Sequence, residues 1–336
     1  MKIDKKSSFA FLVLAYNHEE WILDHLESIK YLVERYGHEI EVDFIVSDDC
    51  SNDHTRAIVD TWLCANRDLF RNVNTLYNSK NLGTSISVDN MLALMVADRC
   101  KLTAGDDLYS YENIFELTQY GDDIAIISGM TLPLIDDALR VDRLANLFAV
   151  ASQLIYRNTT LLHRFKHFSY NNAPNIAYAT QCLMDPRVRD YLKSFDVIED
   201  WPIQIAIARQ FPDFQFRLIN KVLVYYRRTK GSTYIVANKR FIKDKIKIYD
   251  DLIYQEKRFM ERLRLISRKN CFKGQNRLIN KILNIDFYCF LFSSASNLFN
   301  IIKKSTININ LIKHQNHYNY IHSSAIKKRK VMGELN

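Results

Sequence analysis

The sequence predicts an α/β fold, a mostly parallel sheet flanked by helices, followed by a basic and mainly helical C-terminal region. β-rich runs alternate with amphipathic helical stretches over the first 130 residues, and alternation with short connections builds right-handed βαβ units. Hydrophobic residues make up 48% of the 336, enough for a sizeable core, while only 8 Gly and 5 Pro exclude a collagen-like or linker-rich chain. Charge is divided as well. Residues 239–336 hold 21 Lys and Arg against 7 Asp and Glu, whereas residues 1–238 hold 25 against 31. An acidic body thus carries a basic tail, and basic surfaces attract phosphate groups.

Residues 9–15 are a continuous apolar run, as a strand covered on both faces requires. The preceding MKIDKK could open a signal peptide, but the apolar run is short and YNHEEW follows without a small-residue cleavage site, so a first buried strand is expected. Residues 19–35 place Ile22, Leu26, Ile29 and Val33 at helical spacing, with Gly37 positioned to end the helix. A second strand over 42–46 runs into the polar loop 47–55. Next come a helix over 55–65, a strand over 73–77, a helix over 85–97 and a brief strand over 100–103 that ends at Gly105-Asp106-Asp107. A helix over 111–118 and a strand over 124–128 complete this half. Farther on, the spacing predicts a helix over 202–209, a strand over 216–226 and an amphipathic helix over 241–266.

Ligands of such sheets bind beyond the carboxyl ends of the strands. Tyr16-Asn17, Asp48-Asp49 and Asp106-Asp107 occupy those ends, so three polar clusters converge on one edge. Neither a GxGxxG turn nor a GxxxxGK[ST] loop follows a strand. The other way to hold a diphosphate is a divalent cation on carboxylates, which Asp106-Asp107 suits, although an Asp pair alone serves equally as a turn or helix cap. The six Cys form no CxxC pair, so neither a zinc ribbon nor a disulfide framework is expected, and a reducing cytosol fits. The spacing of His163, His167, His314, His317 and His322 matches no strong metal site, and His163 and His167 are expected to be solvated. No apolar run reaches the ~18 residues of a transmembrane helix.

Six motifs occur in a fixed order. They are Leu14-Ala15-Tyr16-Asn17-His18-Glu19, the loop Asp48-Asp49-Cys50-Ser51-Asn52-Asp53-His54-Thr55, Asn81-Leu82-Gly83 with Asn90, Gly105-Asp106-Asp107, Ile198-Glu199-Asp200-Trp201, and Val224-Tyr225-Tyr226-Arg227-Arg228 followed by Ser232. In that order they resemble the GT-A (Rossmann-like) glycosyltransferases of the family 2 type, over roughly residues 8–235. Cys50 stands where the family's DDGSxDxT loop has Gly, Ala104 where its acidic motif has a further Asp, and Thr229 where its closing segment often has His.

The resemblance implies a catalytic unit over residues 1–238, with a nucleotide-sugar half at 1–130 and an acceptor half at 131–238. Nucleotide contacts would come from Ala15, Tyr16, Asn17, Glu19, Asp48, Asp49, Asn81, Gly83 and Asp106. Asp107 would hold a divalent cation, Mn²⁺ or Mg²⁺. Asp200 would act as general base, and Glu199, Trp201, Arg227 and Arg228 would border the acceptor or the diphosphate. The implied reaction is inverting, metal-dependent transfer from a nucleotide-sugar, a UDP-sugar foremost, to a saccharide carried on polyprenyl diphosphate. Such acceptors belong to O-antigen or capsule assembly at the cytoplasmic face of the cytoplasmic membrane. The tail, residues 239–336, would meet the anionic membrane surface, and no nucleic-acid module is recognisable. A sugar nucleotidyltransferase and an inactive membrane-peripheral scaffold are the alternatives. The first lacks its glycine-rich phosphate loop; the second is opposed by the presence of both Asp107 and Asp200.

Overall fold

The computed structural model describes residues 7–119, 121, 123–171, 173–228, 238–273, 277–305 and 309–334; Thr229 and Ser232 lie outside them. Strand β1 (Ser8–Ala15) pairs in parallel with β2 (Glu41–Asp48) and with β4 (Arg99–Ala104), and β2 pairs in parallel with β3 (Asn72–Tyr77). The crossovers are α1 (Ile22–Tyr36), α2 (Thr55–Asn66) and α3 (Thr84–Leu92). Alternation along β1 divides the core into two layers. Phe9, Phe11 and Val13 pack with Leu26 and Trp62, while Ala10 and Leu12 pack with Val88, Met91 and Ile203 on the opposite face. Gly37 does end α1, but with an ordinary φ of −85°. What it supplies is space, because a Cβ there would lie 2.7 Å from the Val33 carbonyl oxygen.

The chain continues through β5 (Leu108–Tyr109), α4 (Ile114–Thr118), β6 (Ile124–Ser128), β7 (Leu132–Ile135), β8 (Ala138–Leu139), α5 (Arg143–Tyr156) and α6 (Leu161–Lys166). Then come β9 (Ile176–Ala179), α7 (Thr180–Leu183), α8 (Pro186–Leu192), α9 (Asp200–Gln210), β10 (Gln215–Leu218) and β11 (Val224–Arg227). Seven strands form the main sheet in the order β10-β6-β9-β4-β1-β2-β3, with β9 antiparallel to β4 and β6. The expected strand over 216–226 is two strands. β10 joins the main sheet, the chain bends at Asn220 and Lys221, and β11 joins a four-stranded sheet ordered β5-β11-β7-β8.

The tail consists of α10 (Asn238–Gln255), α11 (Phe259–Asn270), α12 (Arg277–Ile282), α13 (Ile285–Ala295), α14 (Leu298–Ser305) and α15 (Leu311–Glu334). The expected single helix over 241–266 is broken between α10 and α11, where Glu256 accepts hydrogen bonds from Lys166 and from the Arg258 amide. Its apolar surface is divided: Ile248, Tyr249, Leu252 and Leu265 belong to the core that α9 also enters, while Met260 and Ile266 stay exposed. α15 lies along α1. Ser324 and Lys328 reach Glu27 at 2.7 and 2.5 Å, and Arg329 donates to the carbonyls of Glu19 and Glu20. Part of the basic run 327–330 therefore docks the tail. Among the described residues no single helix is long and apolar enough to cross a membrane.

Candidate active site

The strand ends come level. Ala15 is opposite Asp48 and Leu14 opposite Ala104, and the amides of Asp49 and Gly105 bond the carbonyls of Ala15 and Leu14 at 2.9 and 2.7 Å. Tyr16, Asp49 and the Gly105-Asp106-Asp107 turn thus leave the sheet together. Gly105 lets the turn pack closely there, since a Cβ would come within 2.5 Å of the tip of the Ile22 side chain and 3.0 Å of the His18 ring.

The loops after β1 and β2 are stitched to each other. Asn17, with a left-handed φ of 54°, receives the Asn52 amide on its side-chain oxygen and donates its own amide to Ser51. Glu19 caps the His54 amide at 2.9 Å, and Asp53 holds both the Glu19 and Thr55 amides. The Asp48 carboxylate is taken by Ser51 and Arg56. Asp49 accepts the amides of Leu82 and Gly83 at 2.7 and 2.9 Å and the Asn78 side chain at 3.0 Å, while the Asn81 side chain bonds the Asp49 carbonyl. Most polar groups of the expected nucleotide contacts therefore build the loops, and Tyr16 presents an exposed ring at their rim. Cys50 has φ 70°, the backbone conformation that favours Gly at this point of the family motif.

Asp107 is buried, and its carboxylate accepts the Arg227 amide at 2.9 Å. The Arg227 side chain bonds the Asp106 carbonyl and then Asp24, each at 2.9 Å, and Asp24 meets His322 of α15 at 3.1 Å. Arg227 is therefore an internal brace for the acidic turn; Arg228 pairs at the surface with Asp142. Burial, with Asp106 beside it, pushes the Asp107 carboxyl well above the usual carboxylate range. Asp107 and Asp106 are carboxylate oxygen donors of the kind a hard divalent cation takes, so the residues present fit Mn²⁺ or Mg²⁺. Lys101 on β4 is also fully buried, bonding the Leu102 carbonyl at 2.7 Å and Thr103 at 3.2 Å. Burial lowers its ammonium to about 7, and the charges of Asp107 and Glu199 act against that fall. Carboxylates of both acidic clusters thus act on it. Its sequence signal is a lysine inside an otherwise buried central strand.

Glu199 and Asp200 open α9. Glu199 holds the N-cap position, yet its side chain makes no capping bond. The approach to them is fixed from α10: the buried Asp244 accepts the amides of Asp196, Val197 and Ile198 at 3.0, 2.8 and 3.2 Å. It is fixed from α3 too, as Ser85 bonds the carbonyls of Asp196 and Ile198, each at 3.2 Å. A Cβ on Gly83 would meet Asp196 at 2.6 Å. Asp49, Gly83, Ser85 and Ile198 therefore make one continuous link from the carboxyl end of β2 to the Glu199-Asp200 pair. Burial raises both carboxyls, and Asp200 raises Glu199 further. Lys245 opposes the rise at Asp200, its ammonium over the rings of Phe241, Phe272 and Trp201 at 4.9, 5.2 and 5.5 Å. Trp201 donates its indole N–H to the Phe165 carbonyl and packs edge-on to Tyr249, so it is a packing residue. Asp244 and Lys245 sit in a Lys-rich stretch with no sequence signal of their own.

His163, His167 and Glu261 bring ligand-type atoms within 4.8 Å of one another, away from Asp107. Contrary to the solvated placement expected for it, His167 is buried between Glu261 and Asp286. Lys166, Arg258 and Arg264 all pair with Glu261, and Arg264 and Arg268 pair with Asp286. Guanidinium and ammonium groups already balance these carboxylates, so an ion-pair clamp between α6 and the tail accounts for the cluster better than a divalent cation. A cavity of about 680 Å³ at the opposite, amino-terminal edge of the sheet is lined by Ser8, Asp98, Arg99 and Gln181 and contains none of the acidic site residues.

Residues 11–182 match the model of the family described as glycosyl transferase family 2. No curated protein matches the sequence. The structure is similar to S. aureus TarS 1-349 in complex with UDP-GlcNAc, with TM-score 0.55 and 17% identity over 96% of this chain and 92% of that one. It is similar also to the mannosyltransferase PcManGT from Pyrobaculum calidifontis in complex with GDP-Man and Mn²⁺, with TM-score 0.58 and 14% identity over 96% and 87%. Against a longer S. aureus TarS chain the values are 0.54 and 17% over 80% of this chain, which spans 44% of that relative. These likenesses show the GT-A fold.

Proposed function

Because this chain belongs to glycosyl transferase family 2 and is a glycosyltransferase, we propose that it moves one sugar from a nucleotide-sugar, a UDP-sugar foremost, to a saccharide hydroxyl with inversion. The observation that carries this reading is the continuous link from Asp49 through Gly83 and Ser85 to Ile198, while the charges of Asp107 and Glu199 both act on the buried Lys101. This link supports a reading in which a nucleotide edge, an acidic turn and a carboxylate pair serve one space.

Asp200 takes the proton of the acceptor hydroxyl as its oxygen attacks the anomeric carbon. The new carbon–oxygen bond forms on the face opposite the departing diphosphate, whose bond to that carbon breaks. Positioned proton transfer of this kind is worth roughly 10²–10⁴-fold. Asp107, with Asp106, would hold Mn²⁺ or Mg²⁺, which supplies charge neutralisation for the leaving diphosphate. Tyr16 and the backbone at 15–17 border the base. Arg227 keeps the acidic turn in place, and Lys101 offsets the buried negative charge.

The acceptor we propose is a saccharide on polyprenyl diphosphate at the cytoplasmic face of an anionic membrane, in surface-polysaccharide assembly of the O-antigen or capsule kind. The net +14 of residues 239–336 supports that placement. UDP with Mn²⁺ is expected to raise the melting temperature, and a panel of nucleotide-sugars to yield UDP from one donor. No response to any nucleotide, with or without metal, would overturn the reading.

A further inference from the structure

α13 and α14 sit on α5, and their two faces differ. Phe290 and Ile301 point inward and are buried with Ala151 and Tyr156, while Asp286 is locked beneath Arg264, Arg268 and His167. The outer face carries Tyr288, Leu298 and Ile302, each more than half exposed, with Phe292 at 83% and Phe299 at 79%. Soluble monomers rarely leave so large an apolar face in water unless it meets a partner or a membrane.

Length, bend and charge identify the occupant. Helices of 11 and 8 residues are about 16 and 12 Å long, short of the ~30 Å hydrocarbon core, and they meet at 82°. Neither helix alone is long enough to cross a bilayer, and with this bend both can lie in its interface. α13 and α14 carry Lys303 and Lys304, and their one acidic residue, Asp286, is buried among Arg264, Arg268 and His167. Lys304 lies in the last turn of α14, and the exposed Arg157 lines a groove beside Phe292. A second copy of the chain would bring like charges together across this face, whereas anionic headgroups would neutralise them. Part of the amphipathic stretch over 241–266 is buried in the core, whereas this hairpin turns Phe292 and Phe299 to the solvent.

We infer that the outer face of α13 and α14 docks in the headgroup–acyl boundary of an anionic bilayer, with Phe292 and Phe299 as its apolar anchors and Lys304 and Arg157 at headgroup level. Its purpose, presenting the site to a lipid-linked acceptor, rests on the transferase reading; its test does not, since vesicle binding needs neither donor nor turnover. The full chain is expected to co-float with phosphatidylcholine vesicles containing phosphatidylglycerol, and less with phosphatidylcholine alone or at high salt. The double substitution Phe292→Ser and Phe299→Ser should weaken vesicle binding by about tenfold or more while melting temperature and the response to UDP with Mn²⁺ stay unchanged. Equal binding by both proteins, or no binding of the wild type to anionic vesicles, would overturn the assignment. So would a wild-type dimer that the double variant dissociates, which would make a second copy the occupant.

Discussion

The carboxylate of Asp244 stands 2.8 Å from the amide nitrogen of Val197 and takes the two neighbouring amides as well. A tail helix thereby fixes the backbone that delivers Glu199 and Asp200. Asp244→Ala leaves three amides without their charged acceptor. Stability should drop by about 2 kcal/mol or more, and turnover should fall further than UDP affinity, as thermal melts and steady-state kinetics would read.

Asp200→Asn should cost roughly 10²–10⁴-fold in turnover and leave UDP binding intact; near-normal turnover would remove Asp200 as the base. The pH profile separates its neighbour's role. A base must be ionised, and burial raises Asp200 while Lys245 lowers it, so Lys245→Met should move the acidic limb of turnover to higher pH. Stability has a definite sign too. Both carboxyls of the pair are raised on folding, Glu199 to about 8 from 4.5. The folded state therefore binds more protons than the unfolded chain across that interval, and stability should fall as pH rises through it. Glu199→Gln should flatten that slope.

Asp107→Ala should abolish the metal-dependent part of UDP affinity. Titrating UDP with and without Mn²⁺ checks this, and an unchanged metal dependence would reassign the cation to other ligands.

Cys50→Gly tests the backbone. At φ 70° an L-residue pays roughly 1–2 kcal/mol that Gly avoids, offset in part by the greater freedom of Gly in the unfolded chain. A net gain of up to about 1 kcal/mol in chemical denaturation is expected, with UDP binding preserved.

Truncation after residue 238 should give insoluble protein rather than a soluble catalytic unit. Ile248, Tyr249, Leu252 and Leu265 enter the main core, each worth about 1.5–3 kcal/mol against a total of about 5–15 kcal/mol for a domain. A soluble, UDP-binding fragment would contradict this.

The parallel half of the fold was legible because strands buried on both faces must read as unbroken apolar runs, as residues 9–15 do. The break between β10 and β11 was not, since Asn220 and Lys221 interrupt an otherwise β-rich run without Gly or Pro. The stripe from Ile242 to Ile266 announced helix but not partner, because a core and a lipid surface demand the same spacing. Asp48 and Asp49 could be placed at the edge from sequence; that Arg56, Ser51 and the amides of Leu82 and Gly83 absorb them depends on contacts between segments far apart in the chain.

His322 of α15 grips Asp24, Asp24 grips Arg227, and Arg227 carries the acidic turn. During synthesis the amino-terminal strands can pair as soon as they emerge, but this brace closes only after α15 has left the ribosome. In a nascent chain the acidic turn therefore stays unbraced from the α15 side until late in translation.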